Sequence, residues 1–90
     1  MNNVTLVGRI IELEDTKFVI GVARPFKNMD GIRDTDYITC KMYKNINENG
    51  LERCEIGDIV GIKGHLQSND KKEMFLFVEK ISFLKKGKEK

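Results

Sequence analysis

Residues 36–43, Asp-Tyr-Ile-Thr-Cys-Lys-Met-Tyr, change character at every step. Ile38, Cys40 and Met42 are apolar. Tyr37, Thr39, Lys41 and Tyr43 are aromatic, polar or basic. A β-strand sends alternate side chains to opposite faces, so one set can enter a core while the other faces outward. The outward set holds two rings six residues apart, or ~20 Å along an extended strand. That spacing suits two separate ring contacts better than one.

The rest of the chain reads as strands and turns. Asn3–Ile11 predicts a first strand, with apolar residues at both parities (Val4, Leu6 and Ile10; Val7 and Ile11). Phe18–Ala23 predicts a second, whose regular pairing should end at Arg24-Pro25 because proline lacks the ladder N–H. Asp30-Gly31 marks a turn. Asp36–Tyr43 is the third strand. A short helix is expected over 45–54, weakened by Gly50, with Gly57 as a left-handed stop. Asp58–Leu66 gives a fourth strand, with bends or bulges at Gly61 and Gly64. A hairpin turn at 68–72 leads to a fifth strand, Glu73–Leu84. Strand, strand, strand, short helix, strand, strand is the order of an oligonucleotide-binding (OB) barrel. An all-β fold, a five-stranded barrel with a helix between strands three and four, is expected over residues 1–84. Residues 85–90 are expected to form a flexible basic tail. Order alone leaves another small barrel or an α+β sandwich open.

Ninety residues allow one domain. No stretch approaches the ~20 apolar residues of a membrane span, and the N-terminus lacks the basic and apolar regions of a signal peptide. A cytoplasmic protein with reduced cysteines and no membrane partner is expected. Cys40 and Cys54 do not form a Cys-x-x-Cys pair and His65 is the sole histidine, so no metal and no cofactor is expected. Paired carboxylates, phosphate-binding glycine loops and nucleophile elbows do not occur, which argues against an enzyme. Net charge is +2, yet four of the 16 basic residues and one of the 14 acidic ones lie in residues 85–90. The body is therefore slightly acidic, and any polyanion binding must come from a local patch or the tail.

Four blocks then resemble bacterial single-stranded DNA-binding proteins: Asn-Asn-Val-Thr-Leu-Val-Gly-Arg-Ile at the start, Ala-Arg-Pro-Phe-Lys-Asn after the second strand, Asp-Tyr-Ile-Thr-Cys-Lys-Met-Tyr as the third strand, and Gly-Asp-Ile-Val-Gly-Ile-Lys-Gly-His-Leu-Gln-Ser as the fourth. The resemblance runs in order from about Asn2 to Leu84. It implies an OB fold, binding of single-stranded DNA with little sequence preference, and assembly as a homodimer or homotetramer. Roles in replication, recombination or repair, with replication proteins as further partners, follow from the same resemblance. Departures are the lysine-rich end in place of an acidic tip, and a loop at 67–70 without arginine or ring. A primosomal-type protein-interaction module and an RNA-binding OB domain remain alternatives.

Candidate binding residues follow from both readings. Tyr37, Tyr43 and Phe26 are candidate stacking rings, because every base offers a π-face to an exposed aromatic ring. Lys41 shares the outward parity of the tyrosines with Thr39, which places a cation where a phosphate could lie between stacked bases. Arg9, Arg24, Lys27, Arg33, Lys44 and Lys63 are supporting cations. Phe75, Phe77, Ile81 and Phe83 share one parity of the fifth strand, and Met74, Leu76 and Val78 the other. One set should fill the barrel, and the other is expected to be covered by a second subunit.

Overall fold

The computed structural model describes residues 1–14, 16–42 and 54–87. Five strands run through them: β1 (Val4–Leu13), β2 (Lys17–Lys27), β3 (Arg33–Lys41), β4 (Ile59–Ser68) and β5 (Met74–Lys85). They close into a barrel in the order β1-β2-β3-β5-β4, with β4 paired back onto β1. All pairings are antiparallel except a short parallel contact between β3 and β5. The all-β, five-stranded expectation is met. The helix expected over 45–54 falls outside the described residues, apart from Cys54, which is buried. Gly57 has the left-handed conformation expected of it, at φ 102°.

The core is the inward parity of each strand. Ile10, Phe18, Ile20, Cys40, Val60, Ile62, Leu76, Val78 and Ile81 are buried, and Val4, Leu6, Leu13, Val22 and Ile38 pack around them. Full burial of such side chains stabilises by ~1.5–3 kcal/mol each. The apolar parity of β3 thus lies inside, with Cys40 and Met42 buried and Ile38 half-buried. Burial pushes the Cys40 thiol up to about 12, so it stays protonated and acts as a small apolar filler.

The strands are irregular near Pro25 and at Gly64, where their sequences predict it, and in two further places, between Ile10 and Glu12 of β1 and between Ile59 and Val60 of β4. β2 loses its pairing after Ala23 and regains it at Lys27↔Arg33, as Pro25 requires. In β5 the pairing jumps from Lys63↔Lys80 to Gly64↔Val78, leaving Glu79 as the extra residue of a bulge. A side chain at Gly64 would overlap the Phe77 carbonyl, so glycine is what lets β4 press against β5 here. The bulge shifts parity along β5. Val78 and Ile81 both point inward, whereas Phe75 and Phe77 point outward. The set Phe75, Phe77, Ile81 and Phe83 is therefore split across the two faces.

The two long hairpins turn by the same device. Asn28 Oδ1 accepts from the N–H groups of Asp30 and Ile32. Asn69 Oδ1 accepts likewise from Lys71 and Glu73. Each turn also needs a left-handed residue three positions after its asparagine. Gly31 supplies it at φ 79°, and Lys72 supplies it at φ 65°. A lysine in that region carries a Cβ penalty that glycine avoids.

The lysine-rich end begins in an anchored state. Asp58, itself 1% exposed, accepts from the N–H of Gly87 at 2.7 Å and of Glu55 at 2.9 Å. Those two donors, Gly87 first, hold its carboxyl below the usual carboxylate value. Lys86 pairs with Glu55 at 3.2 Å. Of the tail expected to be flexible over 85–90, Lys86 and Gly87 make these contacts; residues 88–90 lie outside the described residues.

Because Lys72 occupies a glycine-type position, Lys72→Gly is expected to raise stability by about 0.5–1 kcal/mol after the entropic cost of glycine in the unfolded chain. Urea unfolding followed by circular dichroism measures this; a fall in midpoint would show that Lys72 carries no left-handed penalty.

Candidate functional site

Closure of the barrel brings β3 against β5. Only two residue pairs make the contact, Cys40↔Leu76 and Lys41↔Phe77. Beyond it, toward Tyr37, the strands separate. The gap is a cleft of about 370 Å³ between Tyr37–Thr39 on one side and Met74–Leu76 on the other, floored by Val4, Leu6 and Leu66. Tyr37 stands at its rim and is 67% exposed. Opposite Tyr37 on β2 is Gly21, which is buried beneath the side chains of Thr35 and Ile11.

The outward residues next to this cleft are aromatic and basic. Lys41 Nζ lies 4.4 Å from the centroid of the Phe75 ring, a cation–π contact. Phe77 stacks against His65, with centroids 5.7 Å apart and planes inclined by 23°. His65 is held from both ring nitrogens: Nδ1 is 2.7 Å from Glu79 Oε2, and Nε2 is 2.7 Å from Gln67 Nε2. The bulge residue Glu79 therefore orients the imidazole that covers one face of Phe77. Phe75 and Phe77 are the members of this surface that strand parity alone does not single out. Two consecutive charges, Glu79-Lys80, inside an otherwise apolar stretch are the signal of the bulge that turns these rings outward.

The other candidates fall into separate places. Thr39 is half-buried in the cleft wall. Phe26, Lys27 and Arg33 lie toward the tip of the β2–β3 hairpin, and Phe26 is 80% exposed. Arg9 projects from the outer side of β1 and donates from Nη1 to the Gly57 carbonyl at 2.8 Å. Lys63 is exposed on β4. Tyr43 and Lys44 lie outside the described residues.

Arg24 differs from an open cation. Its Nη2 and Nε donate to Asp36 at 2.8 and 3.1–3.2 Å, and Nη1 sits 3.7 Å from Asp34. The guanidinium holds the Asp36 carboxyl below its usual value, chiefly by hydrogen bonding. Arg24 is therefore already neutralised across the hairpin, and a phosphate must compete for it.

Among the described residues no group of three or more His, Cys, Asp or Glu side chains is placed to hold a metal ion. The surface offers rings, cations and an apolar cleft, a set suited to binding flat aromatic groups joined by anions.

Residues 1–74 match the model of the single-strand binding protein family. The chain is 31% identical over 77 residues to single-stranded DNA-binding protein B of Bacillus subtilis, covering 74% of this chain and 68% of that protein. Across three of the curated relatives it matches, the chain spans 50–68% of their length. Among solved structures, a mitochondrial single-stranded DNA-binding protein of S. cerevisiae superposes with a TM-score of 0.73 at 22% identity, covering 96% of this chain and 97% of the other. The N-terminal domain of a PriB protein from Thermoanaerobacter tencongensis, solved as a dimer, gives 0.56 at 24% identity, with 92% and 96% covered. At these identities the structural likeness establishes the OB-type barrel.

If Arg24 is held back by its acids, Asp36→Asn is expected to raise oligo-dT affinity about two- to fivefold at low salt, the range of an exposed ion pair. It should also steepen the salt dependence. Fluorescence titration at several salt concentrations reads both; unchanged affinity and slope would show that Arg24 takes no part.

Proposed function

We propose that this chain, which belongs to the single-strand binding protein family, binds single-stranded DNA without strong sequence preference and carries out no chemistry on it. One observation carries the reading: barrel closure gathers Tyr37, Lys41, Phe75 and Phe77 on a single outward surface beside an apolar cleft. Phe75 under Lys41 and Phe77 against His65 are half-buried, so each keeps some ring surface that a base can cover.

In this mechanism bases stack on Tyr37 and on the β5 rings, each stack contributing ~1–3 kcal/mol. Tyr43, which follows β3 in the sequence, and Phe26 on the β2–β3 hairpin are further stacking rings in this reading. Lys41 bridges ring and phosphate: it leaves or shares the Phe75 face when a base arrives and turns its charge to the backbone. Arg9, Lys27, Arg33, Lys44 and Lys63 supply further phosphate contacts, with Arg24 available once Asp36 is displaced. Thr39 in the cleft wall offers a hydroxyl to a base edge. The protein would cover exposed strands during replication, recombination or repair in the cytoplasm, associated with the nucleoid, as a homodimer or homotetramer in contact with replication proteins. The exposed apolar residues Val7 and Ile11 on the outer side of β1 support assembly with a second copy.

The test is an oligo-dT titration over a range of salt, on protein of known solution mass. With about three to five phosphates neutralised, log affinity should fall against log salt with a slope of roughly −2 to −3.5. Tyr37→Ala should weaken binding about 5- to 100-fold, the loss of one stacked base. Absence of saturable binding at low salt would contradict the proposal, and preference for a matched RNA strand would move it to RNA.

A further inference from the structure

Along most of the barrel the inward side chains are sealed. Ile10, Ile20, Val60, Ile62 and Val78 are at most 1% exposed. Leu66 has the same inward parity on β4 and is 41% exposed, while Val4, Leu6 and Ile38 are half-buried. All four line the cleft between β3 and β5. This mouth is built rather than frayed. Asn2 donates from Nδ2 to the Leu66 carbonyl at 3.0 Å and accepts from the Leu66 N–H at 2.7 Å. Its side chain thus continues the ladder past Val4↔Gly64, the last β1–β4 pair, and fixes the cleft floor. In the walls the two strands have parted. Before Cys40, β3 pairs only with β2; before Leu76, β5 pairs only with β4. Both turn an unpartnered backbone edge toward the gap, and such N–H and C=O groups require partners. Among the described residues the lining side chains carry no charge, and the hydroxyls of Tyr37 and Thr39 are their polar groups.

Resting on the proposed binding of single strands, we infer that this cleft is a subsite for one thymine of the bound strand, which enters edge-first and sets its C5 methyl on the apolar floor. The shape favours a flat occupant, because the gap closes at Cys40↔Leu76 to the ~4.8 Å of paired strands. It disfavours an added peptide strand. Only Met74 and Phe75 of β5 stand free before that closure, fewer residues than even a short strand pairs through. The uncharged lining suits a neutral base and not a phosphate, which would lose its hydration there without a counter-charge. A thymine matches both parts of the site. Its C4 carbonyl and N3–H find partners on the free strand edges and the Thr39 hydroxyl. Its methyl finds Val4, Leu6 and Leu66, the apolar contact by which a thymine is told from other bases. Tyr37 at the rim remains free to stack the neighbouring base, so insertion and stacking share one wall. Uracil carries the same polar edge and lacks only the methyl, so the thymine–uracil difference isolates the floor.

The test compares oligo-dT with oligo-dU, each of about 10 nucleotides, a length within the site of one OB barrel. The readout is the ratio of the two affinities, which a general loss of binding does not imitate. The unsubstituted chain should prefer oligo-dT about fourfold, the effect of one buried methyl. Leu66→Gln makes the floor polar at similar length and should bring the ratio close to one. Val4→Thr, nearly isosteric and at a half-buried position, should lower the ratio in the same direction and decides the case if Leu66→Gln does not fold. Equal affinity of the unsubstituted chain for the two strands would overturn the thymine subsite. So would a fourfold ratio that survives in the folded floor variants, since the methyl would then be sensed on the stacking rings. If the unsubstituted chain binds neither strand saturably at low salt, the single-strand reading itself falls, and this inference with it.

Discussion

Two residue pairs, Cys40↔Leu76 and Lys41↔Phe77, close the barrel. The remaining pairings are longer antiparallel ladders that join neighbours already linked by hairpins, or tie β1 to β4. The parallel contact is the one that decides what faces what. Inward, it sets Cys40 against Leu76 and completes the core. Outward, it brings Lys41 beside Phe77 and over Phe75. Its shortness matters as much as its position, because the strands part beyond it and leave the cleft that Tyr37 borders.

That geometry explains why the proposed binding surface is composite. β3 provides Tyr37, Thr39 and Lys41; β5 provides two rings; β4 provides the histidine and glutamine that hold one of them. No single strand carries the site. The bulge at Glu79 links core and surface: by shifting parity it keeps Val78 and Ile81 both inside while turning Phe75 and Phe77 out, and its carboxylate then fixes His65. A substitution that straightened β5 would disturb packing and ring display together.

Much of this was legible in the sequence because it rests on local rules. Alternation over 36–43 placed Ile38, Cys40 and Met42 inside and Tyr37 and Lys41 outside. Asp30-Gly31 and residues 68–72 marked the hairpins, and Pro25 marked the break in β2. Other features depend on contacts between residues distant in the chain. Arg24 reads as a free cation until hairpin register sets Asp36 and Asp34 beside it. Phe75 and Phe77 read as one set with Ile81 until a bulge, created by close approach at Gly64, divides them. Lys41 reads as an outward cation with no ring partner until barrel closure puts Phe75 beneath it. The lysine-rich end reads as loose from residue 85, because the buried acceptor for Gly87 lies 29 residues away.

The central claim is that the outward surface shared by β3 and β5 is where single-stranded DNA binds. Backbone amide NMR during an oligo-dT titration tests it most directly, since it reports contact along the whole chain at once. The largest shifts are expected at Tyr37, Thr39, Lys41, Phe75 and Phe77, with smaller ones at His65 and Gln67. Saturable binding whose shifts leave β3 and β5 unperturbed, and concentrate on another face of the barrel, would contradict it.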